Sequence, residues 1–268
     1  MIFFTLVSQA IKAKRVQWLI YSAIGIGLIL LYMSVFPSIQ SQAHLYDSLY
    51  ASLPKGLIAA FNISNVAPTL MGFLSSKHFG LVWLMMIILL SISYSSFAIG
   101  KEIETKTMGF LLAQPIRRTQ LYFARLSAGI IGLTIFVVVS ELIVWPLAKV
   151  YGYAADAQSV ILVGIAGFLF GLSVLCLGLM FSAMSNTSGR VSAYTGGILA
   201  LMYALFLTST LNVDLDGLKY VSLFHYFAPG DIVTTSTISI TSVIIFSTFS
   251  IITTVVGALV FRKRQIQV

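Results

Sequence analysis

The run VILVGIAGFLFGLSVLCLGLM (160–180) sets 21 consecutive residues side by side without a charge. At 1.5 Å per residue that crosses the roughly 30 Å hydrocarbon core of a bilayer as one helix. The run does not alternate apolar with polar residues, and neither does LVWLMMIILL (81–90); a membrane β-barrel, built from short alternating segments, is excluded. Runs of similar character place six spans at about 16–36, 79–99, 126–147, 159–183, 191–211 and 238–261. Only 9% of the 268 residues are charged and 58% are hydrophobic, against about 25% charged in soluble domains. The expected fold is an all-α integral membrane protein, with residues 1–268 forming a single transmembrane domain and no room for a soluble catalytic one.

The first residues, MIFFTLVSQAIKAKR, put an apolar block before a basic cluster, the reverse of a secretory signal. Thr5, Ser8, Gln9 and Lys12 recur at helical spacing opposite Phe3, Phe4, Val7 and Ile11. That pattern predicts an amphipathic helix over 1–15 lying in the membrane interface. Pro37 is expected to end the first span. A loop then runs to His78, with residues 56–61 as a short interfacial helix.

Orientation follows from the basic residues, which favour the cytoplasmic side. One set of span ends carries Lys12, Lys14, Arg15, Lys101, Lys106, Arg117, Arg118, Arg125, Arg190, Arg262, Lys263 and Arg264. The opposite set carries Lys55, Lys77, Lys149 and Lys219. Both termini and the segment 100–125 are therefore expected in the cytoplasm. The net charge of +8 is a topology signal, and nucleic acid is not an expected partner.

Segment 100–125, GKEIETKTMGFLLAQPIRRTQLYFAR, is the long internal stretch dense in charge. Acids at Glu102 and Glu104 suit a helix N-terminus, and Pro115 stops a helix, so residues 102–113 are predicted to form a short one. Phe110, Leu111 and Leu112 offer an apolar contact, with Arg117 and Arg118 beside it. Physics alone leaves two readings open: a docking helix for a soluble partner, or a loop whose basic residues only set topology.

The order Glu-x-Glu (102–104), Gly-Phe-Leu-Leu (109–112) and Pro-x-Arg-Arg (115–118) resembles the signature of ABC exporter permeases of type 2 (ABC-2). The resemblance extends over the chain, through LFHYFAPGDIV (223–233) to the basic end FRKRQI (261–266). The chain differs at Met108, Gly109 and Phe110, where the family often has Gly-Thr followed by an acid. The resemblance implies a permease subunit of an ATP-driven exporter in a bacterial or archaeal cytoplasmic membrane. It implies that segment 100–125 is the coupling helix, inserting into a separate ABC ATP-binding subunit that binds ATP and Mg. Glu102, Glu104, Gly109, Phe110, Leu111, Leu112, Pro115, Arg117 and Arg118 would then form the docking set. It further implies a dimer with a second permease copy or a paralogue, around a pathway flanked by spans two and five.

Other features fit that picture to different degrees. Gly167 and Gly171 are a small-xxx-small pair, expected to pack helices inside one subunit. Ser192, Gly196, Ala200 and Ala204 repeat every four residues down span five, as a pathway or dimer face would. Ser91 and Ser95 share a helix face with Glu102 and are read either as lining a hydrated cavity or as bonding their own backbone. Glu141 is the one acid deep in a span; it contacts substrate, ties helices together or reaches toward Lys149. Residues 212–237 are too polar to cross the membrane and too apolar for a free loop. They are read as re-entrant helices turning at Pro229-Gly230, or as an interfacial loop anchored by Tyr220, Phe224, Tyr226 and Phe227.

Chemistry of the chain's own is not expected. His44, His78 and His225 map to the outer side without metal-ligand spacing, and a P-loop signature is absent. Cys176 lies in an apolar run, and Ser188-Gly189 lacks a base on its side of the membrane. Asn62-Ile63-Ser64 matches a glycosylation tripeptide that arises often by chance. An ion-driven secondary transporter would need several intramembrane charges and inverted repeats. A membrane-embedded enzyme would need convergent His or acidic residues. Both are the alternatives to an ABC exporter.

Overall fold

The computed structural model describes residues 2–41, 69–109 and 116–264, all in helices or the turns that join them. Among the described residues, six helices are long and apolar enough to span a membrane. They are α1 (Ile2–Ser41), α2 (Leu70–Glu104), α3 (Arg118–Val150), α4 (Ala157–Met184), α5 (Ser188–Leu211) and, after a short α6 (Pro229–Thr235), α7 (Ile240–Lys263). In a solvent without hydrogen-bonding partners the backbone must satisfy itself, which is why the apolar runs become helices.

The hub is α4, which packs against α2, α3, α5 and α7, while α1 lies along α3. Small residues let these helices approach. A Cβ at Gly167 would sit 2.2 Å from the Trp83 ring, and one at Gly132 would sit 2.1 Å from Trp18. Gly171 meets Ile87 and Leu133 in the same way. The Gly167 and Gly171 pair thus serves packing within the chain, where van der Waals contact replaces the hydrophobic drive that lipid removes.

Several local expectations change. α1 runs 40 residues without a break at residue 15, so the expected interfacial helix and first span are one rod. Pro37 lies inside it, not at its end: its missing N–H costs the one bond to the Met33 carbonyl, and the helix runs only four residues beyond it. α2 starts at Leu70 and takes in Lys77 and His78, which were expected in a loop; its turns widen to π geometry over Ser75–Trp83 and Ser96–Lys101. The helix expected to begin at Glu102 does not begin there. Residues Glu102–Glu104 are the last turn of α2, and Lys106, at φ 58°, turns the chain out of the helix. α3 bends at Ile143, three residues before Pro146, whose ring opposes the carbonyl of Leu142. The expected helix at 56–61, the Asn62-Ile63-Ser64 tripeptide and His44 lie outside the described residues.

Beyond α5 the chain folds back through two short 3-10 helices, Val213–Val221 and Leu223–Tyr226, before α6. Phe224 and Phe227 are buried and meet Phe170 of α4 at ring-centroid distances of 5.5 and 5.7 Å. Tyr220 is 58% exposed, so two of the four expected anchors point into the bundle and Tyr220 points out. Pro229 opens α6, where its fixed φ suits a first helical position; it does not mark a turn between helices.

Candidate functional site

The described residues on either side of 110–115 meet at one end of the bundle, the end that carries Lys101, Arg125, Arg264 and the last turn of α2. Three contacts organise it.

The first closes α2 onto α3. Arg125 forms an ion pair with Glu102, with side chains only 5% and 13% exposed. The Tyr94 hydroxyl donates to the Arg125 carbonyl at 2.6 Å. A pair this deep exchanges two large desolvation costs for one strong contact, so its main effect is to fix how the two helices sit.

The second ties α2 to α5. The N-terminus of α5 has no cap from its own residue Thr187. Glu104 caps it from outside: its Oε2 accepts from the Ser188 N–H at 3.2 Å and from the Ser188 hydroxyl at 2.7 Å. A carboxylate here meets free amides and the positive end of the helix dipole. One and two turns earlier in α2, the Gly100 N–H donates to Ser182 of α4 at 3.0 Å and Ser96 bonds Ser192 of α5 at 2.8 Å.

The third comes from the far end of the chain. Arg264, just past α7, donates from Nη1 to the carbonyls of Ala183 and Ser185 at 2.7 and 3.0 Å, and from Nη2 to Asn186 Oδ1. Its planar fork satisfies carbonyls that the end of α4 leaves open. Arg118, at the start of α3, donates to the Arg264 carbonyl.

Of the expected docking residues, Glu102, Glu104 and Arg118 are therefore engaged within the chain. Gly109 follows the buried Met108 and is half-buried. Arg117 has an exposed side chain, and its backbone N–H donates to Gln120 Oε1. Phe110, Leu111, Leu112 and Pro115 lie outside the described residues. Ser188, Asn186 and Arg264 are the participants that sequence reading missed. No local signal pointed to them, because Thr187 is itself a residue that commonly caps a helix, and only the structure shows that its side chain does not.

The expected pathway residues separate into two groups. On α5, Ser192, Ala200 and Ala204 are exposed, and a Cβ at Gly196 would meet nothing within 4 Å. On α2, Ser91 and Ser95 are 1% and 0% exposed and donate to α4 carbonyls, Ser91 to Gly171 and Ser95 to Leu175 at 3.2 Å. They lie in a helix seam, where the small residues of α4 bring its backbone within reach, and Ser95 also bonds the Ser91 carbonyl of its own helix at 2.7 Å.

Glu141 is 2% exposed, packed against Gly164, and neither carboxyl oxygen finds a hydrogen-bond partner among the described residues. It does not reach Lys149, whose ammonium lies 5.1 Å over the Trp145 ring. His78 is fully buried between the rings of Tyr32 and Phe79, at 5.5 and 4.9 Å. Among the described residues no group of His, Cys, Asp and Glu is arranged to hold a metal.

The opposite end carries the Lys219–Asp216 ion pair at 2.7 Å and an acid that caps α4. Asp156 caps α4 through the amides of Gln158 and Ser159, and these hydrogen bonds, with the one from the Ser159 hydroxyl, lower its carboxyl below the usual 3.8. Ser159 also reaches Ser236, and Gln158 donates to the Ser236 carbonyl, linking α4 to the turn after α6. Beside it a cavity of about 160 Å³ opens between Tyr226, Asp231, Thr235 and Ser242.

No curated protein matches the chain in a sequence comparison. The family model described as ABC-2 family transporter protein matches residues 7–266, nearly the whole chain. Six membrane-length helices among the described residues and that match together place the chain in the ABC-2 transporter family, as a membrane permease.

Proposed function

We propose that this permease works as a dimer and is driven as an exporter by separate ATP-binding subunits, which hold ATP and Mg and dock on segment 100–125. In this reading the basic end faces the cytoplasm, with both termini on that side of a cytoplasmic membrane.

The observation that carries the dimer is the character of α5. It is the least buried of the six long helices, at 17% of its most apolar window, and also the least apolar, with a mean hydropathy of 1.6 against 2.0 to 2.7 for the others. A helix surrounded by lipid should be the most apolar. The combination fits a helix that meets protein or a polar pathway outside this chain. Of its stripe Ser192, Gly196, Ala200 and Ala204, Ser192 is spent on Ser96, and the other three leave a face that a second backbone can approach closely. The pathway between two such faces is mostly apolar, which suits an amphipathic cargo such as a drug, a peptide or a lipid-linked molecule.

Purification from the native membrane tests both parts. An ATPase should co-purify with the chain and be lost when Leu111, Leu112 and Arg117 are replaced together. Retention of the ATPase would refute the docking assignment. Cysteines at Gly196 and Ala200, in a Cys176→Ala background, should cross-link two copies; cross-linking through α1 alone would move the dimer face away from α5.

A further inference from the structure

We propose that the turn between α4 and α5 (residues 185–188) is the receiver of motion from segment 100–125, gripped from both ends of that segment by Glu104 and by the Arg118–Arg264 latch. The inference rests on the coupling role proposed above and adds the route by which the motion reaches α5.

The geometry that carries it is convergence. The start of the segment reaches this turn through Glu104, which holds the amide and hydroxyl of Ser188. Its end reaches the same turn through Arg118, which holds the Arg264 carbonyl, while the Arg264 guanidinium holds Ala183, Ser185 and Asn186. These contacts join residues 78 to 146 positions apart, so local capping does not explain them. A displacement of the segment therefore pulls on residues 183–188 from two directions.

The receiver suits the task. α5 has few packed residues along its length, so its basic end is where force is applied with least resistance elsewhere. α4 is held more firmly, since Gly167, Gly171 and Gly178 seat it closely against Trp83, Ile87 and Ser95 of α2. The turn is then a hinge between a firmly held helix and a freer one, and its hinge residues are loop positions that absorb backbone change. Arg264 and Ser188 are positioning residues here: they need touch neither nucleotide nor cargo.

The test uses the full chain with its co-purifying ATPase in lipid nanodiscs. Spin labels are placed at Leu19→Cys on α1 and Leu201→Cys on α5, both exposed, in a Cys176→Ala background and diluted with unlabelled chain. The expected result is a shift in the label distance between the nucleotide-free and ATP–vanadate states. Arg264→Gln combined with Ser188→Ala should abolish the shift while the ATPase still co-purifies and hydrolyses ATP. Arg264→Lys, which keeps the charge and loses the fork, should give an intermediate shift. An unchanged shift in the double variant overturns the inference, as does a double variant that loses thermal stability and the ATPase together, since the grips would then be structural only. If the unsubstituted chain keeps its ATPase and shows no shift, the route fails and the coupling role stands. If it binds no ATPase, the coupling role itself fails and takes the route with it.

Discussion

The bundle of α2, α3 and α4 and the helix α5 are built from similar residues and behave as opposites. In α2 and α4 the most apolar windows are 67% buried, against 17% in α5. In α4 each small residue named above meets a neighbour: Gly167 has Trp83, and Gly171 has Ile87 and Leu133. In α5 Gly189, Gly196 and Gly197 meet nothing within 4 Å. Small residues at helical spacing therefore have two uses in one chain. In α4 they admit bulky side chains of the same molecule; in α5 they leave a smooth face open. What separates them is whether a partner helix lies within the chain.

The contrast breaks most readily at Arg125. Replacing it by Met leaves Glu102 buried and alone, and the fold should lose about 3–5 kcal/mol, as when one partner of a buried pair is removed. Unfolding in detergent measures it, and replacing Glu102 by Leu as well should recover most of the loss. A similar fall from substitutions at the exposed Arg117 would show that the inner bundle is not special.

Next comes Gly167→Ala. The new methyl group would collide with Trp83, and overpacking should cost about 1–3 kcal/mol. A drop in melting temperature is expected, together with a change in tryptophan fluorescence. The paired change on α5, Gly196→Ala, should have the opposite sign for the single chain. It fills open space and gains up to about 1 kcal/mol of helix propensity. In a dimer built on that face the same methyl group should weaken association, seen as a shift toward monomer in size-exclusion chromatography with light scattering. Equal effects of the two alanines on chain stability would erase the distinction between the helices.

The smallest effect concerns the opposite end of α4. The Asp156 carboxyl is held below its usual 3.8 by its bonds to Ser159 and Gln158. Its stabilisation is thus complete above the ordinary carboxylate range and fades as pH falls through the lowered value. Asp156→Asn should flatten the acid limb of the melting curve and change little at neutral pH, because its side-chain oxygen still caps the helix.

How much could be read beforehand depended on how far apart the relevant residues lie. Helical spans were legible because lipid imposes one condition on every stretch of 20 residues, and that condition is local. The packing of Gly167 and Gly171 followed from spacing along one helix. Ser91 and Ser95 were left between two readings because a serine on a helix face bonds water, its own backbone or a neighbouring helix equally well. Ser95 does bond the Ser91 carbonyl of its own helix, and the proximity of Gly171 and Leu175 adds bonds to α4 that spacing could not show. Pro37 and Glu102 were misjudged through local rules that hold on average and yield to position. Pro37 falls near a helix end, and Glu102 serves a tertiary ion pair instead of a helix N-terminus. Arg264 was counted as one more basic residue at a membrane boundary, since nothing near it in sequence points to residues 183–186.

The sequence by itself determined the solvent, the helical class, the number of membrane-length helices and the family, because apolar length and motif order are properties of contiguous chain. Only the tertiary structure decided which polar groups are spent inside the molecule. It turned Glu102 and Glu104 inward to Arg125 and Ser188, closed Ser91 and Ser95 against α4, and left one face of α5 without a neighbour. The reason is range: burial in lipid acts residue by residue along the chain, whereas a hydrogen bond or ion pair acts only over a few ångströms between residues that folding has already brought together.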